Sequence, residues 1–286
     1  MRLGGERRSE NVEDRRGFRV SRKTVGVGGG IGTILLVIAA LYFGIDPRLF
    51  LSGGPVEEQV SEQASTEARP AEENRMADFV SAVLASTEDA WGELFRRGGK
   101  SYQPPKLVLF TEAAQSACGF AQAAVGPFYC PADQKVYIDL TFYKEMKDRL
   151  QAGGDFAEAY VIAHEVGHHV QNLLGIMEKA QAARARVDEA QANRISVRLE
   201  LQADCFAGVW ANHADKARGI LEKGDVEEGL NAASAIGDDR MQRRAGGYVV
   251  PDSFTHGSSA QRVKWFRVGI DTGDVNRCNT FQAGEL

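Results

Sequence analysis

The sequence predicts an α+β domain, mostly helical with a small sheet, preceded by one transmembrane helix. Three observations carry this expectation. Long stretches after Met76 repeat apolar side chains at helical spacing. Two short runs, Lys106–Phe110 and residues 135–140, read as strands. Residues 24–45 carry no charged side chain, which suits a membrane helix.

At 286 residues and 43% hydrophobic content, the chain can bury a substantial core. A net charge of -5 argues against nucleic acid as a partner, because phosphate binding shows as a basic excess. Residues 1–23 are rich in Arg, Lys, Glu and Asp with few apolar side chains, and read as a disordered basic tail. The run 24–45 is long enough for one crossing at about 1.5 Å per residue. Its glycines at 26, 28, 29, 30 and 32 make a poor soluble helix, since each costs about 1 kcal/mol relative to alanine. The basic flank orients the N-terminus to the cytoplasm of a single-pass inner-membrane protein, with the following domain periplasmic or extracellular. A cleaved signal peptide is the alternative; the long polar lead-in and the lack of a small-residue cleavage site before Asp46-Pro47 favour a retained anchor. Residues 46–75 are dominated by polar and small side chains and read as a disordered linker, leaving 76–286 as the folded domain.

In that domain Phe79, Val80, Val83, Leu84, Trp91, Leu94 and Phe95 define a first helix, which Gly98-Gly99 ends. Pro104-Pro105 introduces the strand Lys106–Phe110. Cys118 and Cys130 bracket a glycine-containing loop or hairpin. Residues 135–140 then alternate apolar and polar, the period of a half-exposed strand whose edge could pair with an extended peptide. A long helix follows at 155–174, with Asp155 as N-cap, Glu158 completing a capping box, and Gly175 as its stop. A second long helix is clearest from Val187 to about Ala214, and Val263, Trp265, Phe266 and Val268 mark a last one.

The first of the two long helices contains His164-Glu165-Val166-Gly167-His168. Residues four apart share a helical face, so both imidazoles can hold one ion, and zinc is the ion this HExxH spacing suits. Glu165 beside them is placed to act as general base. Val161, Ile162 and Val166 would keep the site dry. A catalytic zinc needs a third protein ligand and one open position. Glu200 and Asp204, again four apart, supply a carboxylate ligand and a group to orient a ligand histidine; we assign ligation to Glu200 and orientation to Asp204, with the exchange of roles as the alternative.

The blocks HEVGHH at 164–169, ELQADCFAG at 200–208 and SFTHGSSAQRVKWF at 253–266 together resemble the bacterial putative neutral zinc metallopeptidase family. HExxH followed by ExxxD is also similar to the wider gluzincin group, including Ste24-like membrane proteases. The resemblance implies a zincin-like domain over about 76–286, with His164, His168 and Glu200 on zinc, Glu165 as catalytic acid/base, and a peptide or protein as substrate. It also implies a catalytic role for His256, since Thr255-His256-Gly257-Ser258 resembles a THPS-like segment with glycine in place of proline. His256 would stabilise an oxyanion, with Tyr248 as the other candidate donor.

His169 points about 100° away from His168 around the helix, off the shared ion, and His213 reads as a surface or packing histidine. The four cysteines allow three pairings in an oxidising compartment; we expect Cys118 with Cys130 and Cys205 with Cys278, with buried free thiols as the alternative. The competing functional reading is a non-catalytic, zinc-stabilised envelope protein that binds a protein or polymer along the 135–140 edge.

Overall fold

The structure, a computed structural model, describes residues 1–17, 70–111, 113–122 and 126–284. The expected membrane helix at 24–45 and most of the expected linker lie outside the described residues. Among those described, no helix is long and apolar enough to cross a membrane. The fold is a mostly helical domain with a small mixed sheet of four strands.

The first helix, α1 (Ala71–Arg97), starts within the expected linker. Ala71-Glu72-Glu73 are good helix formers, and acidic side chains favour a helix N-terminus, so the polar composition there belongs to a helix start. Next come β2 (Lys106–Phe110), the hairpin β3 (Ala113–Ser116) and β4 (Gly119–Gln122), β5 (Phe128–Cys130) and β6 (Lys135–Asp139). The main sheet has the order β1-β2-β6-β5, where β1 is Val12–Asp14. Strand β2 runs parallel to both β1 and β6, and β5 is antiparallel to β6.

This order corrects the expectation of a half-exposed edge at 135–140. Strand β6 is paired on both sides, and Val136, Tyr137 and Ile138 are all buried. Its polar positions are satisfied internally rather than by water. Tyr137 donates its hydroxyl proton to Asp133 at 2.7 Å and stacks on Phe128 with ring centroids 4.8 Å apart. The strands at the sheet edges are β1 and β5.

Residues 1–17, expected to be disordered, belong to the same compact unit as the described residues from 70 onward. Their charges find partners on α1. Arg8 clasps Asp78 through two 2.6 Å hydrogen bonds, Arg7 reaches Glu88 and Asp89, and Ser9 donates to Glu88 at 2.6 Å. Val12, Glu13 and Asp14 pair with Leu107, Val108 and Leu109, and Leu3 is buried.

Helix α2 (Thr141–Asp148) leads into α3 (Asp155–Leu173) and α4 (Ile176–Arg184), followed by α5 (Glu189–Arg218), α6 (Asp225–Ala235), α7 (Asp238–Gly246) and α8 (Ser259–Thr272). The capping box expected at Asp155 and Glu158 does not form. Gly154 is the N-cap, Glu228 of α6 accepts the Phe156 N–H at 3.2 Å, and Asp155 faces the Met1 ammonium at 2.6 Å. Tertiary partners have displaced a local motif. Gly175, with φ +70°, ends α3 as expected.

Helix α5 is packed between α3 and α8, and glycine permits both approaches. A Cβ on Gly167 would stand 3.0 Å from the Ala203 carbonyl oxygen, and one on Gly269 only 1.9 Å from that of Cys205. Phe156, Tyr160, Phe206, Trp210 and Phe266 fill the core around these contacts. Both expected disulfides are formed, Cys118 with Cys130 and Cys205 with Cys278.

If the N-terminal residues are part of this core, Leu3→Ala should lower unfolding stability by about 2 kcal/mol, the low end for a buried leucine. Urea denaturation reads this directly. An unchanged midpoint would show that the segment does not dock.

Candidate metal centre

Helix α3 carries His164 and His168 one turn apart, with their ring centroids 4.8 Å from each other and nearly perpendicular. Helix α5, brought close at Gly167, faces them with Glu200. His164 Nε2 lies 3.2 Å from Glu200 Oε2, and His168 Nε2 lies 3.4 Å from Glu200 Oε1. Donor atoms of these three residues all fall within 4.8 Å of one another. Two zinc ligands at about 2.05 Å in tetrahedral geometry stand roughly 3.3 Å apart, so the spacing fits such an ion.

The outer face of His164 is set by charge. Its Nδ1 donates to Asp204 Oδ1 at 2.8 Å, which leaves Nε2 as the free donor atom toward Glu200. Asp204 is completely buried. Arg262 of α8 grips it in a fork, Nε to Oδ2 and Nη2 to Oδ1, each 2.9 Å, and Tyr160 donates its hydroxyl proton to the same carboxylate. The structure thus separates the two acids: Glu200 faces both Nε2 atoms and Asp204 stands behind His164.

Burial, the largest influence, opposes charge on Asp204, yet Arg262 and His164 outweigh it and hold the carboxyl down at about 2. The same competition, won by His168 and His164, keeps Glu200 well below the ordinary carboxylate range. In the metal-free protein, burial works against the His164 imidazolium, but Asp204 and Glu200 raise its pKa to about 10. Burial pushes the Glu165 carboxyl up, against the attraction of the two histidines. A raised carboxyl pKa makes Glu165 a stronger proton acceptor than an ordinary carboxylate.

His256 is not drawn into this cluster by a hydrogen bond. It is exposed, with Nδ1 3.2 Å from Asp238 and 3.0 Å from the Thr255 hydroxyl. Asp238 also accepts the backbone N–H groups of Thr255, His256 and Gly257, fixing the loop. Gly257 has φ +93°, which proline cannot adopt, and a Cβ there would press on Leu201 and Val197 at 3.2 Å. The THGS loop is therefore shaped differently from a THPS one. Tyr248 is 72% exposed. His169 is fully buried and off the cluster, bonded to Tyr129 and to the Gln103 carbonyl, and His213 is half-buried and bonded to the Gly273 carbonyl.

Sequence reading missed Arg262, Tyr160 and Gln171 as parts of the site. Tyr160 lies four residues before His164 and Gln171 three after His168, so helical periodicity could have marked both. For Arg262 the only signal was its place in the third sequence block.

The family described as putative neutral zinc metallopeptidase matches residues 1–281. The chain is 52% identical over 288 residues to uncharacterized protein YpfJ of Escherichia coli (strain K12), covering 98% of this chain and 99% of that one. It is 39% identical over 259 residues to uncharacterized proteins Mb2605 of Mycobacterium bovis and Rv2575 of Mycobacterium tuberculosis, covering 86% of each chain. No solved structure matches.

Removing the guanidinium while keeping the carboxylate should be severe. Arg262→Leu is expected to cost about 3–5 kcal/mol of stability, because it leaves Asp204 buried without its guanidinium partner. The Asp204 pKa is lower folded than unfolded, so its contribution is present above about pH 4 and lost as pH falls toward about 2. Denaturation of wild type and Asp204→Asn across that acid range checks the sign, since the wild type should lose stability more steeply.

Proposed function

The chain belongs to the putative neutral zinc metallopeptidase family, and from that premise we propose that it is a zincin-like, zinc-dependent peptidase with Glu165 as general base. The observation that carries the reading is a three-ligand set beside a buried, non-ligating carboxylate. Structural zinc sites close with four protein ligands, whereas catalytic ones leave a position open. Among the described residues the cluster holds His164, His168 and Glu200 only.

Zinc, when bound by those three side chains, supplies Lewis acidity, lowering the pKa of a coordinated water to about 7 and polarising a peptide carbonyl. Glu165 takes a proton from the attacking water as its oxygen bonds to the carbonyl carbon. It then returns that proton to the amine nitrogen as the C–N bond breaks. Asp204, paired with Arg262, keeps His164 presenting Nε2 throughout. His256, on the loop clamped by Asp238, is the proposed donor to the oxyanion; the Glu200 charge reaches it and helps raise its pKa, after the larger effect of Asp238.

Two disulfides favour an oxidising compartment, so we place the catalytic domain outside the cytoplasm. Residues 1–17 pack on that domain, and a single crossing at 24–45 with a cytoplasmic N-terminus would have to undock them. We therefore place tail and domain on one side. Cysteines introduced at the exposed positions Glu10 and Lys100 should both react with an impermeant reagent added to intact cells. Labelling at Lys100 alone would instead support the single crossing.

Glu165→Gln should retain zinc and lose peptide hydrolysis by about a hundredfold or more. Turnover of an unfolded protein substrate, with zinc content measured on the same samples, tests this. Full activity in the zinc-loaded variant contradicts the mechanism. His256→Ala should lower kcat by roughly a hundredfold with zinc retained.

A further inference from the structure

The two metal-facing histidines are oriented by different means. His164 has the charged pair Asp204 and Arg262 behind it. His168 has a neutral amide: its Nδ1 lies 2.9 Å from Gln171 Oε1. We propose that Gln171 is a positioning residue for zinc binding, which fixes His168 as the Nδ1–H form through a one-way chain of amides ending on backbone carbonyls. This rests on the zinc-site reading above.

The direction of the chain follows from what each end can do. A backbone carbonyl only accepts hydrogen bonds. Gln202 approaches the Cys278 carbonyl at 2.9 Å, so its nitrogen must face that oxygen, and its own amide oxygen faces inward. Gln171 approaches both that inward oxygen, at 3.1 Å, and the Leu199 carbonyl, at 2.7 Å. Both are acceptors, so its nitrogen must face them. Only Gln171 Oε1 is left to meet His168, and an acceptor there requires a proton on Nδ1. The lone pair of His168 is thereby delivered to Nε2, on the side of Glu200.

Every member is shielded from water that could substitute for it. Gln171 is fully buried, Gln202 is 5% exposed and His168 is 8% exposed. The far end is held by covalent structure. Cys278 is disulfide-bonded to Cys205, three residues beyond Gln202 on α5. A neutral orienting group also suits the charge of the site. Glu165, Glu200 and Asp204 already bring three carboxylates to the site, and among the described residues Arg262 is the arginine paired there. A fourth carboxylate at position 171 would also turn an acceptor toward the Leu199 carbonyl.

The test uses histidine-selective 15N labelling of the full chain, with Gln171→Met as a variant of similar size that cannot hydrogen-bond in this way. In wild type, the His168 Nδ1–H should appear as a slowly exchanging resonance, with the His164 Nδ1–H as internal reference. Gln171→Met should lose the His168 resonance, keep that of His164, and bind zinc about 10–100-fold more weakly in competition with a chromophoric chelator. Gln202→Leu leaves the Leu199 contact in place and should weaken zinc by less than Gln171→Met. A wild-type spectrum with a protected His164 proton and none on His168 Nδ1 overturns the proposal, as does a zinc dissociation constant for Gln171→Met within twofold of wild type. If Gln171→Met does not fold, the wild-type spectrum still decides. Failure of wild type to bind zinc would sink the metal reading separately, since loss of the slowly exchanging His168 Nδ1–H on Gln171→Met can be read in the metal-free protein.

Discussion

Asp204 is a carboxylate with no exposed surface, and the arrangement of three helices answers the cost of putting it there. Burying an ion costs several kcal/mol unless it is paired and hydrogen-bonded. Here the Arg262 fork, the Tyr160 hydroxyl and His164 Nδ1 together satisfy both oxygens. The four groups come from α3, α5 and α8, so the helices cannot shift independently without stranding a charge. That constraint holds the His164 ring toward Glu200. The close approach at Gly167 and Gly269 makes the geometry reachable, and the disulfide from Cys205 to Cys278 ties the chain end to the same helix.

What the sequence made legible was whatever depends on local periodicity. His164 with His168, and Glu200 with Asp204, are each one helical turn apart, and the two turns meet as that spacing implies. The helices at 155–173 and 189–218, the strand at 106–110 and the helix stop at Gly175 are local for the same reason. Arg262 was not legible as a partner of the site, because Asp204 is 58 residues away and its place in the third sequence block does not say what it pairs with.

Two misreadings share one physical origin. The tail looked disordered because charge outweighs apolar residues in it, yet Arg8 and Asp78 neutralise each other across 70 residues of sequence. Strand β6 looked half-exposed because Tyr137 and Asp139 alternate with apolar residues, yet both are buried. In each case polarity was taken to mean contact with water when it meant contact with a distant partner. The capping box at Asp155 failed in the same way, its carboxylate being engaged by the Met1 ammonium.

The central claim is that one zinc ion sits among the Nε2 atoms of His164 and His168 and the carboxylate of Glu200. Anomalous diffraction at the zinc edge from crystals of the protein as purified measures this most directly. The account predicts one strong peak within about 2.3 Å of all three groups. A peak at the other acidic cluster, Asp155 with Asp225 and Glu228, and none between the histidines would contradict it.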